Sequence, residues 1–369
     1  MLKAIATLAL FSAAFAACAA AQVPPRYEIV TIDDDPTFNY AAQMNNRGQV
    51  VYTVWFDEGN TDATDIFLYD NGNTIRLTDD DVFDRTPDIN DDGTIVWSRA
   101  VDGPGSPTQI VMQQYPDGEL TQLTCSALDN RGPRINNLGH VVWKRYMGSG
   151  CGGQRMDIFF YDGETTHRIT TNGETDDLAN QSMDINDHDE IIWAEYDFCQ
   201  EPWWDSEIMH WADGITRQLS GPESNSPTGP KINNWGQIVW QTDLPGPQKG
   251  IILWDSGNTE LLTNAGGAPR INDPADIAFH RWYEGDPIGS YEVWLYRRGE
   301  FLQITEDPHD QGWNNIWNLP TDINDLGEIV YTSGRPWYYE TTIECMKLRL
   351  RSASCPAGLD GVDVAPLAP

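Results

Sequence analysis

The sequence predicts an all-β protein, a seven-bladed β-propeller of four-stranded antiparallel blades, with the N-terminal strand pairing into the last blade to close the ring. Three observations lead there. The phrase Ile-Asn-(Asn/Asp)-x-Gly-x-(Ile/Val)-Val-(Trp/Tyr) recurs, with small variations, from Met44, Ile89, Ile135, Ile185, Ile232, Ile271 and Ile323. Its copies are spaced by about 45 residues, the length of one four-stranded unit in a radial array of sheets. A strand-like segment, Tyr27 to Ile32, stands ahead of the first copy, and the seventh copy lacks a fourth strand.

Each element follows from local chemistry. In the second copy, Pro87-Asp88-Ile89-Asn90 reads as a short inner strand. Asp91-Asp92-Gly93 is a tight turn whose glycine can take positive φ. Thr94 to Trp97 is a second strand, β-branched and aromatic. Gln109 to Gln113 is the third strand, Pro116-Asp117-Gly118 a turn, and Leu120 to Thr124 the fourth. Fourth strands elsewhere end in Leu77-Thr78, Ile169-Thr170, Leu219-Ser220, Leu262-Thr263 and Ile304-Thr305. Runs such as Ile238-Val239-Trp240 suit strands covered on both faces. The sixth copy is the weakest, because Ile271-Asn272-Asp273-Pro274-Ala275-Asp276 has no turn glycine. The aromatics that recur at one place, Tyr52, Trp97, Trp143, Trp193, Trp240, Phe279 and Tyr331, read as packing between blades.

The phrase at residues 87–97, the segment Asp65-Ile66-Phe67-Leu68-Tyr69-Asp70 with Gly72, and the closing Leu-Thr together resemble the TolB-type (WD-like) propeller repeat over residues 27–350. The usual Ser-Pro-Asp-Gly turn of that family stands here as Asn-Asn-x-Gly or Asn-Asp-x-Gly. The resemblance implies the fold and leaves function open, since propellers host many activities. The tail from Cys355-Pro356-Ala357 through Val362-Asp363-Val364 resembles a shortened dockerin-type calcium segment. It lacks the twelve spaced positions that wrap calcium in such a loop, so residues 351–369 are expected to be a remnant or a disordered tail.

Residues 1–21 read as an export signal, with Lys3 at the start, an apolar stretch from Ala4 to Ala17, and Ala19-Ala20-Ala21 before Gln22. Residues 22–350 are then the propeller. Phe15-Ala16-Ala17-Cys18 also resembles a lipobox, which makes lipid anchoring through Cys18 the alternative to a free form. Either way the expected location is periplasmic or extracellular, and no later segment is long enough to span a membrane. With 23 basic against 56 acidic side chains and a formal charge of −33, the composition argues against nucleic acid and anionic membranes as partners. Export permits disulfides. Cys151 and Cys199 fall in equivalent loops of neighbouring units, and Cys345 and Cys355 would close a short loop, leaving Cys125 over.

The blade topology puts the short turns on one face and the long loops, which follow the second and fourth strands, on the other. The loop-rich face is the usual ligand surface of such a scaffold. Trp203, Trp204, Trp282, Tyr283, Trp313 and Trp337 fall there beside carboxylates and amides. A flat ring stacks on the apolar face of a sugar while polar groups take its hydroxyls. The competing reading is that these rings fill gaps between blades. No cofactor is implied. Calcium is the one ion the acidic loops suggest, with Asp79, Asp81 and Asp84 as candidate ligands against a simply solvated loop. Asp88-x-Asn90-x-Asp92-Gly93 opens like an EF-hand loop, but its twelfth position is Arg99, which favours a hairpin turn. No nucleophile elbow, zinc motif, phosphate loop or dinucleotide pattern is present. Catalytic candidates reduce to His280 and His309, or to carboxylates such as Glu201 and Asp205. The sequence therefore points to a monomeric, non-catalytic binding propeller for a carbohydrate or an extracytoplasmic protein. A polysaccharide lyase or glycoside hydrolase, and a structural surface protein, are the alternatives.

Overall fold

The computed structural model describes residues 26–33, 38–55, 64–149, 154–171, 178–197, 206–221, 225–245, 248–282, 291–305, 317–335 and 340–349. Among them there are 28 strands and no helix. After β1 (Arg26–Asp33), the strands run in successive antiparallel groups. The first is β2 (Phe38–Met44), β3 (Val50–Trp55), β4 (Thr64–Asp70) and β5 (Asn73–Arg76). The second is β6 (Asp84–Ile89), β7 (Thr94–Arg99), β8 (Gln109–Gln114) and β9 (Thr121–Gln122). The third is β10 (Asn130–Ile135), β11 (Val141–Ser149), β12 (Gln154–Tyr161) and β13 (Thr166–Arg168). The fourth is β14 (Leu178–Ile185), β15 (Ile191–Asp197), β16 (Ser206–Ala212) and β17 (Ile215–Gln218). The fifth is β18 (Asn225–Ile232), β19 (Ile238–Asp243), β20 (Lys249–Asp255) and β21 (Asn258–Thr263). The sixth is β22 (Gly267–Ile271), β23 (Ile277–Trp282), β24 (Tyr291–Arg297) and β25 (Glu300–Gln303). The last is β26 (Trp317–Ile323), β27 (Ile329–Arg335) and β28 (Glu340–Arg349), on whose outer edge β1 pairs antiparallel from Arg26↔Arg349 to Asp33↔Ile343. The N-terminal strand thus supplies the fourth strand that the last repeat lacks.

The second to fifth groups are separate sheets. The sixth, last and first are joined into one by two single parallel pairs, Tyr291↔Trp317 and Phe38↔Thr341. The second strand of each group is covered on both faces. Its aromatic residue, Tyr52, Trp97, Trp143, Trp193, Trp240, Phe279 or Tyr331, is at most 2% exposed. The apolar clusters lie between neighbouring groups: Val96 and Ile110 of the second pack with Ile135 and Trp143 of the third. Ala42, Val50 and Tyr52 of the first pack with Val330 and Ile343 of the last, together with Ile32 of β1.

Two recurring residues acquire a reason. The hydroxyl that ends most fourth strands accepts a backbone N–H of the third: Ile66 N to Thr78 at 3.0 Å, Ile110 N to Thr124 at 2.9 Å, Ile158 N to Thr170 at 2.9 Å, Ile208 N to Ser220 at 2.8 Å and Val293 N to Thr305 at 2.9 Å. These buried N–H groups would otherwise go unsatisfied. The turn glycine sits at positive φ, 76° at Gly48 and 86° at Gly93. In the fourth and sixth copies Asp189 and Ala275 hold the same conformation at 61° and 62°. The closing bond survives there, Ala275 N to Asn272 O at 3.0 Å, so the sixth turn forms without its glycine.

Candidate functional site

The first strand of each group lines a cavity of about 170 Å³, each contributing the segment around its Ile-Asn pair. Two hydrogen-bond circuits run around it. In one, each phrase asparagine caps its own turn through Oδ1, as Asn45 does for Arg47 N and Gln49 N, while its Nδ2 donates to the carbonyl of the next phrase asparagine. The bonds run Asn45 to Asn90 (2.9 Å), Asn90 to Asn136 (3.1 Å), Asn136 to Asn186 (3.0 Å), Asn186 to Asn233 (3.1 Å), Asn233 to Asn272 (3.0 Å) and Asn272 to Asn324 (2.8 Å). The last, Asn324 to Asn45 at 3.3 Å, returns to the start.

The second circuit uses the following residue. The backbone N–H of each donates to the side-chain Oδ1 of the next, from Asn46 to Asp91 at 2.8 Å through to Asp325 and back to Asn46 at 2.8 Å. Its members alternate, Asn46, Asp91, Asn137, Asp187, Asn234, Asp273, and then Asp325 breaks the pattern. Each asparagine amide bridges two carboxylates: Asn137 Nδ2 reaches Asp91 at 3.2 Å and Asp187 at 3.0 Å.

Deeper in the cavity, the residue before each phrase isoleucine forms a third tier: Gln43, Asp88, Arg134, Asp184, Lys231, Arg270 and Asp322. Sequence reading missed this tier because the position varies. The available signal was that six of its seven members are charged. The three carboxylates staple neighbours by accepting the next group's backbone N–H, Asp88 from Ile135 (2.9 Å), Asp184 from Ile232 (3.2 Å) and Asp322 from Met44 (2.9 Å). Lys231 Nζ lies 3.3 Å from Asp184, and Arg270 Nε donates to Thr321 O at 2.6 Å. Burial pushes the Asp88 carboxyl up to about 6, against the pull of Arg134, and raises that of Asp322. Burial lowers Lys231 and Arg270 from their ordinary values. Three cations and three carboxylates therefore share a desolvated space in mutual compensation.

At the loop-side ends of the strands, His280, Tyr291 and Trp317 come together. His280 and Tyr291 meet edge to face at 4.7 Å between ring centroids, and Tyr291 and Trp317 at 5.4 Å. Burial lowers the His280 imidazole to about 4, so it is neutral at physiological pH, and its Nδ1 has no hydrogen-bond partner among the described residues. At Gly267, opposite His280, a Cβ would stand 2.3 Å from Gln241 Oε1 and 2.8 Å from His280 Nε2, so a larger residue would displace both side chains. Tyr291 was not singled out by sequence, since nothing in the chain shows that it meets Trp317.

Of the other predicted residues, Trp282 ends β23 and pairs with Tyr291 in the ladder. Trp203, Trp204, Tyr283, Trp313, Trp337, His309, Glu201 and Asp205 lie outside the described residues, as do Cys18, Cys151, Cys199 and Cys355 and the segments 1–25 and 351–369. Cys345 is buried in β28. Asp84 is buried, accepts Trp97 Nε1 at 2.6 Å and pairs with Arg99, which also pairs with Asp80. Asp79 pairs with Arg76 at 2.8 Å, and Asp81 is exposed. The structure thus does not bring Asp79, Asp81 and Asp84 together around one point.

No family model matches the chain, and no curated protein matches it. Among solved structures, the chain is similar to the β-propeller domain of the Trilobed protease from Pyrococcus furiosus, with a TM-score of 0.57 and 12% identity over 82% of this chain and 92% of that one. That domain is described as having an open velcro topology, whereas here β1 pairs with β28. Acylaminoacyl peptidase from Pyrococcus horikoshii gives 0.57 and 14% over 80% of this chain, and a puromycin-hydrolysing peptidase from Mycobacterium tuberculosis gives 0.58 and 13% over 82%. The chain spans about half the length of these two peptidases (49% and 51%). The likeness shows a β-propeller fold.

Proposed function

We propose that this chain is an exported, non-catalytic binding protein, a closed seven-bladed propeller that recognises a carbohydrate or an extracytoplasmic protein through its loop-rich face. The observation that carries the reading is the His280, Tyr291 and Trp317 cluster. These rings stand beside Trp282 at the end of β23, where β23, β24 and β26 meet the loops that carry Tyr283 and Trp313, so the scaffold already presents aromatic surface there. The two returning hydrogen-bond circuits and the β1–β28 pairing support ring closure, which leaves no open sheet edge. The leader-like residues 1–21 and the charge of −33 support export. Most polar groups of the phrase are engaged within the scaffold, as the phrase asparagines are, so carbohydrate recognition falls to the loops.

Binding to a glycan array by the purified chain tests this. The expected result is a specific hit that Trp203→Ala with Trp204→Ala abolishes. Shortening of a bound polysaccharide would replace the binding reading with an enzymatic one. A blank array with folded protein would remove carbohydrate and leave a protein partner.

A further inference from the structure

Leu138, Trp235 and Leu326 are large apolar side chains exposed at 57, 76 and 61%. All three occupy one place, the third residue of the Asn-x-x-Gly turn, at the end of the strands opposite the loop-rich face. In the sixth copy the same place holds Pro274, also exposed. Trp235, Pro274 and Leu326 come from consecutive copies, and the residues just before them are bonded in series: Asn234 N to Asp273 Oδ1 at 2.7 Å, and Asp273 N to Asp325 Oδ1 at 2.9 Å. The three tips therefore stand side by side as an apolar ridge on the rim of the cavity.

Beside that ridge the Asn/Asp circuit has its one mismatch. Alternation of two residue types cannot be completed around a circuit with an odd number of members. At Asp91 and Asp187 the outer carboxylate oxygen accepts two asparagine amides, 3.0 and 3.2 Å at Asp91 and 3.0 and 2.9 Å at Asp187. Asp273 Oδ2 accepts one, from Asn234 at 3.1 Å, and Asp325 Oδ2 accepts one, from Asn46 at 2.8 Å. Each lacks the donor that an asparagine between them would give. Two of the cations on this face are engaged elsewhere: Arg47 is 3.4 Å from Asp92, and Arg297 donates to Asp276 at 2.5 Å.

We propose that this rim is a docking site for a protein segment presenting a lysine or arginine next to an apolar residue. The cationic head donates to Asp273 and Asp325 in place of the missing amide, and the stem and its apolar neighbour lie on Trp235, Pro274 and Leu326. Charge complementarity selects this occupant. A cation meets two adjacent carboxylates on a strongly acidic chain, whereas an anion would be repelled. An exposed tryptophan is a common anchor in such contacts. The site lies on the face opposite the proposed glycan surface, so either can fail without the other.

Panning the purified chain against a random peptide phage library tests it. The expected outcome is enrichment of peptides with Lys or Arg beside an apolar residue. A synthetic copy of the leading peptide should lose affinity about tenfold or more on Trp235→Ala and on Asp325→Asn. Changing its basic residue to norleucine should cost the same. Asp273→Asn serves as a second carboxylate variant should Asp325→Asn misfold. Glu164→Gln with Glu260→Gln, both exposed acids away from the rim, should bind as the parent does. No enrichment, enriched peptides without a basic residue, binding indifferent to the rim variants, or equal loss in the remote variant would each overturn the proposal.

Discussion

Replacing Asp88 by asparagine should flatten part of the pH dependence of stability, by an amount the structure sets. Asp88 is 8% exposed, and its Oδ2 accepts Ile135 N at 2.9 Å. Burial raises its carboxyl from 3.8 to about 6 despite the charge of Arg134. Between those values the folded protein holds a proton that the unfolded chain has released. The group's contribution is therefore most favourable in acid and declines as pH rises through 6. About two pK units at about 1.4 kcal/mol each comes to about 3 kcal/mol. Asparagine keeps an oxygen for the Ile135 N–H and cannot ionise. The stability of Asp88→Asn relative to the parent should thus shift by about 3 kcal/mol in the variant's favour between about pH 4 and pH 8, whatever constant offset the substitution brings. Urea unfolding of both proteins across that range measures it. A difference flat to within about 1 kcal/mol, or moving the other way, would refute the argument that burial outweighs the compensating charges.

Four further outcomes follow from the bonds and pairings described above. Asn186→Ala removes the acceptor for His188 N and Glu190 N, both at 3.0 Å, and the donor to Asn233 O; it should cost about 3 kcal/mol by chemical denaturation. Asp84→Ala strands the Trp97 indole N–H and Arg99, and should cost about 3 kcal/mol. Asp81→Asn should leave any calcium response of the melting temperature unchanged to within about 1 °C, because Asp79 and Asp84 are already paired and do not converge with Asp81. Deleting residues 26–33 exposes the outer edge of β28, and size-exclusion chromatography should show concentration-dependent association.

The strand–turn–strand core of each repeat is legible because its residues speak for themselves. Asparagine and glycine make turns, and Ile-Val-Trp makes a strand covered on both faces. The sixth copy is weak by sequence only if the turn needs glycine, whereas Ala275 adopts the same conformation. What one copy cannot reveal is a bond into the next. The amide of Asn136 serves the neighbouring turn, not its own, and nothing local announces that. The tier of Asp88, Arg134 and Lys231 hides for a related reason, since its members balance one another only once the repeats are brought around a common cavity. By sequence His280 is a catalytic candidate near a loop, and nothing local announces its contacts with Gly267 and Tyr291 on the flanking strands.

The placement of β1 also dictates an order of events. It is the earliest described strand to be synthesised and the last to find its sheet, because β28 must be made first. The groups between complete their own ladders from nearby residues, while Tyr27 to Ile32 waits for nearly the whole chain. Pairing across such a sequence separation is slow, and it leaves an apolar strand exposed in the interim. A nascent chain arrested short of β28 is therefore unfinished at both ends at once: it lacks its final sheet, and its opening strand has nowhere to go.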